Sequence, residues 1–155
     1  MTAADSTRRH LGTVLVTLQL VLIAALALGA APAFLKPQAP AGAWTLEAIG
    51  GLLGLWALAF NRPGNFNIRP TPRSGGQLVQ RGPYGWIRHP MYTAVMACAL
   101  GFPWAGDSVS GWVGAAALAG VLVTKATLEE RWMLSAHPGY AAYCAGTRRF
   151  LPGIL

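Results

Sequence analysis

Long apolar blocks separated by polar stretches dominate this chain. No charged residue occurs from Leu11 to Leu35. Residues 11–30 alone match the roughly 20 apolar residues that cross the hydrocarbon core of a bilayer. The apolar positions are continuous and do not alternate with a polar face at helical spacing, which argues against a water-soluble bundle. The pattern predicts a transmembrane helix over about 11–30.

A second apolar block predicts a helix over about 44–60. It contains a Gly50-x-x-x-Gly54 pair, and small residues at this spacing let a neighbouring helix approach closely. We therefore expect this helix to pack tightly against another.

Two shorter blocks predict helices over about 91–105 and 110–128. Between them, Gly106-Asp107-Ser108 has the composition of a tight turn. The two blocks are therefore interpreted as a helical hairpin, followed by a tail over 129–155.

Composition supports this picture. Of the 155 residues, 54% are hydrophobic and 11% are charged, whereas soluble domains have about 25% charged residues. The predicted fold is an all-α integral membrane bundle of four transmembrane helices in a single domain, with the lipid bilayer as its surroundings. A loop over 61–90 and the tail are expected to form its site.

Charge predicts the orientation. Eleven of the twelve Lys and Arg residues precede the first block, lie between the second and third, or lie at or beyond the end of the fourth, and only Lys36 falls on the other side. By the positive-inside rule, both termini, the loop and the tail are predicted to be cytoplasmic. Nucleic acid binding has little support, because the arginines are spread among apolar segments and not along one soluble face.

A cleaved secretory signal is an alternative interpretation of the first block. Arg8-Arg9, the apolar run and Ala31-Pro32-Ala33 mimic the three regions of such a signal. The run is longer than the usual apolar core of about 7–15 residues, so we expect this helix to be retained. Cys98 and Cys144 form neither a disulfide pattern nor a metal motif.

The predicted loop ends in a concentrated motif. A short apolar island, Gln77-Leu78-Val79, precedes Gly82-Pro83-Tyr84 and Arg88-His89-Pro90-Met91-Tyr92. One hairpin later comes Glu129-Glu130, followed by Tyr140-Ala141-Ala142-Tyr143 and Pro152. In this order and over about residues 76–155, the chain resembles the isoprenylcysteine carboxyl methyltransferases and related phospholipid methyltransferases.

This resemblance implies an S-adenosylmethionine site. His89 and Arg88 would donate to the cofactor carboxylate, and Glu129 or Glu130 would receive its ammonium. Tyr84, Trp86 and Tyr92 would flank the sulfonium or the adenine, and Gln77, Leu78 and Val79 would supply an extended backbone. Pro90 suits the first turn of a helix that has His89 at its cap. No G-x-G-x-x-G follows a strand, so the nucleotide motif of soluble enzymes is absent from the sequence.

Each of these residues also has a simpler interpretation. Tyr and Trp collect at membrane interfaces whatever the function of the protein, and Tyr140, Tyr143 and Phe150 of the tail could be such interfacial anchors. Arg88 could be one of the cytoplasmic positive charges that set the orientation in the membrane. His89 could be a plain helix cap, and the glutamates could pair with Arg131.

The family's arginine for a substrate carboxylate, one turn before the acid, corresponds here to Lys125. Lys125 is spaced i,i+4 from Glu129 and so lies on the same helical face. A lysine lacks the fork of arginine, so a cytoplasmic flanking charge is an equally good interpretation. The acceptor is therefore predicted only as a lipophilic small molecule, prenylcysteine-like or other. A sterol-type reductase that uses NADPH and a non-enzymatic membrane protein are the alternatives.

Overall fold

The computed structural model describes the backbone of residues 3–61 and 78–154, and the side chains from residue 6 onward within those ranges. Within them the architecture is all-helical, apart from one isolated parallel bridge between Ile87 and Arg148. The helices are α1 Ala3–Phe34, α2 Ala41–Asn61, a 3₁₀ helix Gly82–Gly85, α3 Pro90–Gly106, α4 Val109–Ala136 and α5 Tyr140–Gly146.

Three helices are long and apolar enough to cross a membrane, by length and composition: Ser6–Phe34 within α1, Ala41–Asn61 and Val109–Ala136. The fourth predicted span corresponds to α3, which has 17 residues. At about 1.5 Å per residue, α3 is about 25 Å long, shorter than the hydrocarbon core of about 30 Å. Three of the four predicted spans therefore have the length and composition of spanning helices.

All four long helices extend beyond their predicted bounds, α1 and α4 the furthest. α1 begins at Ala3, and α4 continues through Glu129 and Glu130 to Ala136. At this end of the bundle the guanidinium of Arg8 lies 5.9 Å from the ring of Trp132, so the start of α1 lies beside the end of α4. Charged side chains end an apolar pattern without ending helical hydrogen bonding, which explains why the pattern underestimated both helices.

The four long helices alternate in direction. At the end opposite the acid pair, the ring of Phe34 lies 4.8 Å from that of Trp44 and 6.3 Å from that of Phe102, so the end of α1 meets the start of α2 and the later part of α3. A buried apolar cluster joins α1, α3 and α4, formed by Leu26, Ala99, Ala115, Leu118 and Leu122. Many Leu, Val and Trp side chains of these helices face outward, as a lipid-facing surface requires.

The close approach predicted from the glycine pair occurs between α2 and α3. A Cβ at Gly50 would lie 2.7 Å from the carbonyl oxygen of Ala94 and would also clash with Cys98 Sγ. At Gly54 a Cβ would lie at an ordinary 3.6 Å from Ala94 Cβ. Gly50 is thus the position that lets the two backbones meet.

The predicted turn joins α3 to α4. Asp107 adopts the left-handed conformation, with φ 43, and Ser108 caps α4 by accepting a hydrogen bond from Gly111 N at 3.2 Å. Residues with short polar side chains tolerate this conformation and this cap. The turn brings the end of α4 back to the start of α3.

Candidate functional site

The start of α3 is built as its sequence predicts. His89 is the N-cap residue, with φ −123 and ψ 56, and Pro90 is the first helical residue. The His89 side chain makes no capping hydrogen bond. Its ring turns instead toward α4, where the acid pair lies.

Both ring nitrogens of His89 face carboxylates. Nε2 lies 3.1 Å from Glu130 Oε1, and Nδ1 lies 3.5 Å from Glu129 Oε2. Burial of the ring lowers its pKa, but hydrogen bonds and charge attraction from the two glutamates more than offset this, so the pKa of His89 is raised above its usual value. The protonated imidazolium is the form that suits two acidic neighbours.

Glu130 is enclosed by cations. Its Oε1 accepts from Arg88 Nε at 2.8 Å, and its Oε2 accepts from a terminal nitrogen of Arg149. With His89 as the third donor, both carboxylate oxygens are engaged, and the Glu130 side chain is only 10% exposed. Its charge is satisfied within the protein.

Glu129 has different surroundings although it is the next residue. Its Oε2 accepts from the phenol O–H of Tyr92 at 3.1 Å, and its side chain is 25% exposed. The Glu129 carboxylate is therefore oriented by His89 and Tyr92 and remains partly exposed at the surface.

The tail after α4 lies directly along the motif. Backbone N–H groups of Arg88 and His89 donate to the carbonyls of Arg148 and Arg149 at 2.8 and 3.1 Å. The Arg88 guanidinium also donates to the carbonyl of Thr147 at 2.6 Å. The predicted loop end, the acid pair and the tail therefore form one structural unit.

Aromatic rings line this unit. The rings of His89 and Tyr92 are stacked, with centroids 5.3 Å apart and an interplanar angle of 2°, and Phe150 lies 5.8 Å from His89. Tyr140, Tyr143 and Phe150 are all buried, which the interpretation as interfacial anchors does not predict. Burial, followed by the charge of Glu129, raises the pKa of Tyr84 to about 12, so Tyr84 remains a neutral phenol.

Trp86 does not join the other aromatics. Its side chain is 63% exposed and packs edge-on against Trp56 of α2 at 5.8 Å. The expectation that Trp86 flanks the cofactor therefore has no support in this geometry. Tyr84, by contrast, is tied to the tail, because its carbonyl accepts from the hydroxyl of Tyr143 at 2.7 Å.

The apolar island is described only in part. Leu78 and Val79 are partly buried and lie outside any helix or strand. Gln77, also expected to contact the cofactor, lies outside the described residues.

Lys125 is 1% exposed, so it is not a solvated flanking charge. Its ammonium donates to Gln19 Oε1 at 2.5 Å and lies 5.2 Å from the centroid of the Tyr92 ring. The Lys125 ammonium thus lies against the ring of Tyr92, inside the helix bundle.

Three participants were not singled out from the sequence. Arg149 and Thr147 belong to a tail whose docking only the fold reveals. Gln19 did leave a signal, because it is a polar residue in the middle of a charge-free apolar block. In the part of the chain with described coordinates, no group of three or more His, Cys, Asp or Glu side chains is arranged to hold a metal ion.

A family model described as phospholipid methyltransferase matches residues 64–138. This part of the chain is similar to the phospholipid methyltransferase family. The match covers just under half of the chain and includes Arg88 to Tyr92 and Glu129-Glu130, so the resemblance inferred from the sequence is confirmed. The family indicates a methyltransferase, and the apolar helices indicate a membrane protein. No curated protein and no solved structure matches the chain.

Proposed function

We propose that this protein is an S-adenosylmethionine-dependent methyltransferase that acts on a lipophilic acceptor. The observation that carries the proposal is the contrast between the two glutamates. Glu130 is enclosed by Arg88, His89 and Arg149, whereas Glu129 is oriented by two neighbours and remains 25% exposed. A partly exposed, fixed carboxylate beside aromatic rings suits the ammonium and sulfonium groups of this cofactor.

The residues then divide into two groups. Glu129 would bind the cofactor ammonium, and Tyr92 and Tyr84 would flank the cofactor. Glu130 and Arg88 would act as positioning residues, because Glu130 is fully engaged and Arg88 is held by Glu130 and the Thr147 carbonyl.

His89 and the residues around it would complete the site. The His89 imidazolium would fix the acid pair and add a positive charge near the cofactor carboxylate. Pro90 starts α3 at this point. Gln77, Leu78 and Val79 would offer backbone groups to the cofactor.

When bound, S-adenosylmethionine supplies an electrophilic methyl group on a sulfonium. The residues of this chain would orient it so that an acceptor lone pair lies in line with the C–S bond. Tyr140, Tyr143 and Phe150 would exclude water from the sulfonium, as their burial against the motif supports. A carboxylate acceptor needs no base, whereas an amine would have to arrive deprotonated.

The acceptor would approach from the bilayer. The acid pair lies within α4, a helix with the composition of a membrane span, and the arginines of the site lie at the same end of the bundle. We propose that this end is cytoplasmic, that α3 crosses together with the three longer helices, and that Lys36 lies on the far side. The cofactor would then enter from water and the acceptor between helices.

Titration calorimetry of the protein in lipid nanodiscs tests the proposal with two ligands, S-adenosylmethionine and NADPH. We expect the first to bind and the second not to bind. The Glu47→Gln variant, whose substitution in α2 also removes a carboxylate but lies away from the network, should bind like the wild type.

Two other outcomes contradict the proposal. Binding of NADPH alone would support a reductase. Binding of neither ligand would leave a membrane protein without this cofactor activity.

A further inference from the structure

Gln19 lies on the inward face of α1. Leu15, Gln19, Leu22 and Leu26 recur at i, i+4, i+7 and i+11, the spacing of a single helical face. Leu15 and Leu26 are 8% and 7% exposed, and Leu22 packs against the buried cluster. The side-chain amide of Gln19 therefore lies on a helical face whose other residues are leucines.

The partner of this amide is a lysine buried among small and apolar residues. Lys125 is 1% exposed, and Leu122 and Ala126 beside it in α4 are both 0% exposed. Its ammonium donates to Gln19 Oε1 at 2.5 Å. A cation inside an apolar helix bundle is costly and is retained where it has a task.

The contacts continue from this lysine to the candidate cofactor ligand. The ammonium lies 5.2 Å from the Tyr92 ring centroid, in the range of a cation–π contact. The hydroxyl of the same Tyr92 donates to Glu129 at 3.1 Å. Gln19, Lys125, Tyr92 and Glu129 thus form one continuous series of contacts across α1, α4 and α3.

We propose that Gln19 and Lys125 are positioning residues that hold Tyr92, and through it the Glu129 carboxylate, in place for the cofactor ammonium. The inference rests on the proposed function and names residues that support its site. Because Lys125 is fully covered, it acts here through Tyr92 and not by touching an acceptor. Gln19 lies outside the segment that the family model matches, so this support comes from a helix that the family match does not include.

A double-mutant cycle with two ligands tests the inference. The variants are Gln19→Met, Lys125→Met and the double variant, since methionine keeps the length and removes the polar contact. The ligands are S-adenosylmethionine and a thioether analogue of it that lacks the α-amino group but keeps the carboxylate and the adenosine. Thr17→Val, at an exposed position of the same helix, is the matched control.

We expect Gln19→Met and Lys125→Met each to weaken S-adenosylmethionine binding about two- to thirty-fold, the range of a cation–π contact. The double variant should lose no more than Lys125→Met alone, because Gln19 acts through Lys125. The analogue should lose less affinity, since it has no ammonium for Glu129 to receive and only its contact with Tyr92 is affected. Thr17→Val should leave both affinities as in the wild type.

Three outcomes overturn the inference. One is unchanged S-adenosylmethionine binding in Gln19→Met. A second is an equal loss for both ligands, which indicates a general structural defect. The third is additive losses in the double variant. If the wild-type protein itself does not bind S-adenosylmethionine, the proposed function fails together with the inference. If the wild type binds it and one of the three outcomes occurs, the inference alone fails.

Discussion

Arg88 and Glu130 are 42 residues apart in the sequence, and their side chains meet with Nε and Oε1 2.8 Å apart. The pair joins the start of α3 to the last part of α4. Arg88 extends the connection to the tail by donating to the Thr147 carbonyl. One guanidinium therefore connects three segments, in addition to the backbone hydrogen bonds that dock the tail.

Glu130→Gln should destabilise the protein strongly. It removes the charge that Arg88, His89 and Arg149 share, and breaking a buried ion pair typically costs about 3–5 kcal/mol. Thermal unfolding in detergent should show a lower midpoint than for Glu129→Gln, whose side chain is more exposed. Equal midpoints for the two variants would contradict the structural assignment of Glu130.

Glu129→Gln should weaken S-adenosylmethionine binding with a smaller effect on unfolding. Losing a charge-assisted hydrogen bond costs about 1.5–3 kcal/mol, or roughly ten- to a hundred-fold in affinity. Calorimetry on folded protein measures this, and Asp107→Asn at the far turn is the control. If Glu129→Gln binds like the wild type, Glu129 is not the ammonium ligand.

The stability that His89 contributes should fall as pH rises through the neutral range. The pKa of His89 is raised in the folded state, so its contribution is fully present below the unfolded pKa of about 6.5 and is lost as pH climbs through the higher folded pKa. The difference in unfolding midpoint between the wild type and His89→Gln should therefore shrink with increasing pH. Because the two proteins differ only at this position, the difference isolates the contribution of His89. A difference that grows with pH would show that His89 is neutral in the folded protein.

How much of this arrangement the sequence predicts depends on the range of each interaction. The apolar blocks locate the long helices because hydrophobicity is a local property, yet they end α4 too early, since Glu129 and Glu130 are satisfied by distant partners. Arg88 to Tyr92 and the acid pair could be singled out through the family resemblance. The roles of Arg149 and Gln19 could not, because each depends on a contact that forms only when separate segments pack.

Topology can be measured by cysteine accessibility. In a protein with Cys98 and Cys144 replaced by alanine, single cysteines at Ser74 and Ser108 should be labelled from opposite faces of the membrane. Ser108 is the cap between α3 and α4, whereas Ser74 falls in the predicted cytoplasmic loop, outside the described residues. Labelling of both from one face would show that α3 does not cross.

The acceptor should be lipophilic. Transfer of a labelled methyl group from S-adenosylmethionine can be compared for a farnesylated cysteine, a phospholipid amine and their water-soluble counterparts. A lipophilic compound should react faster than its soluble counterpart at equal concentration, because it partitions into the bilayer, from which we propose that the acceptor approaches. Equal rates would exclude entry through the membrane and leave the methyltransferase assignment intact.

The docking of the tail along the motif has a consequence for biosynthesis. Chains are made from the N-terminus and begin to fold in that order, so α4 and its two glutamates emerge before Arg148 and Arg149. During that interval Arg88 and His89 are the counter-charges available to Glu130, and the second guanidinium joins only afterwards. A nascent chain halted before Thr147 would therefore present an incompletely neutralised Glu130 carboxylate near the end of α4.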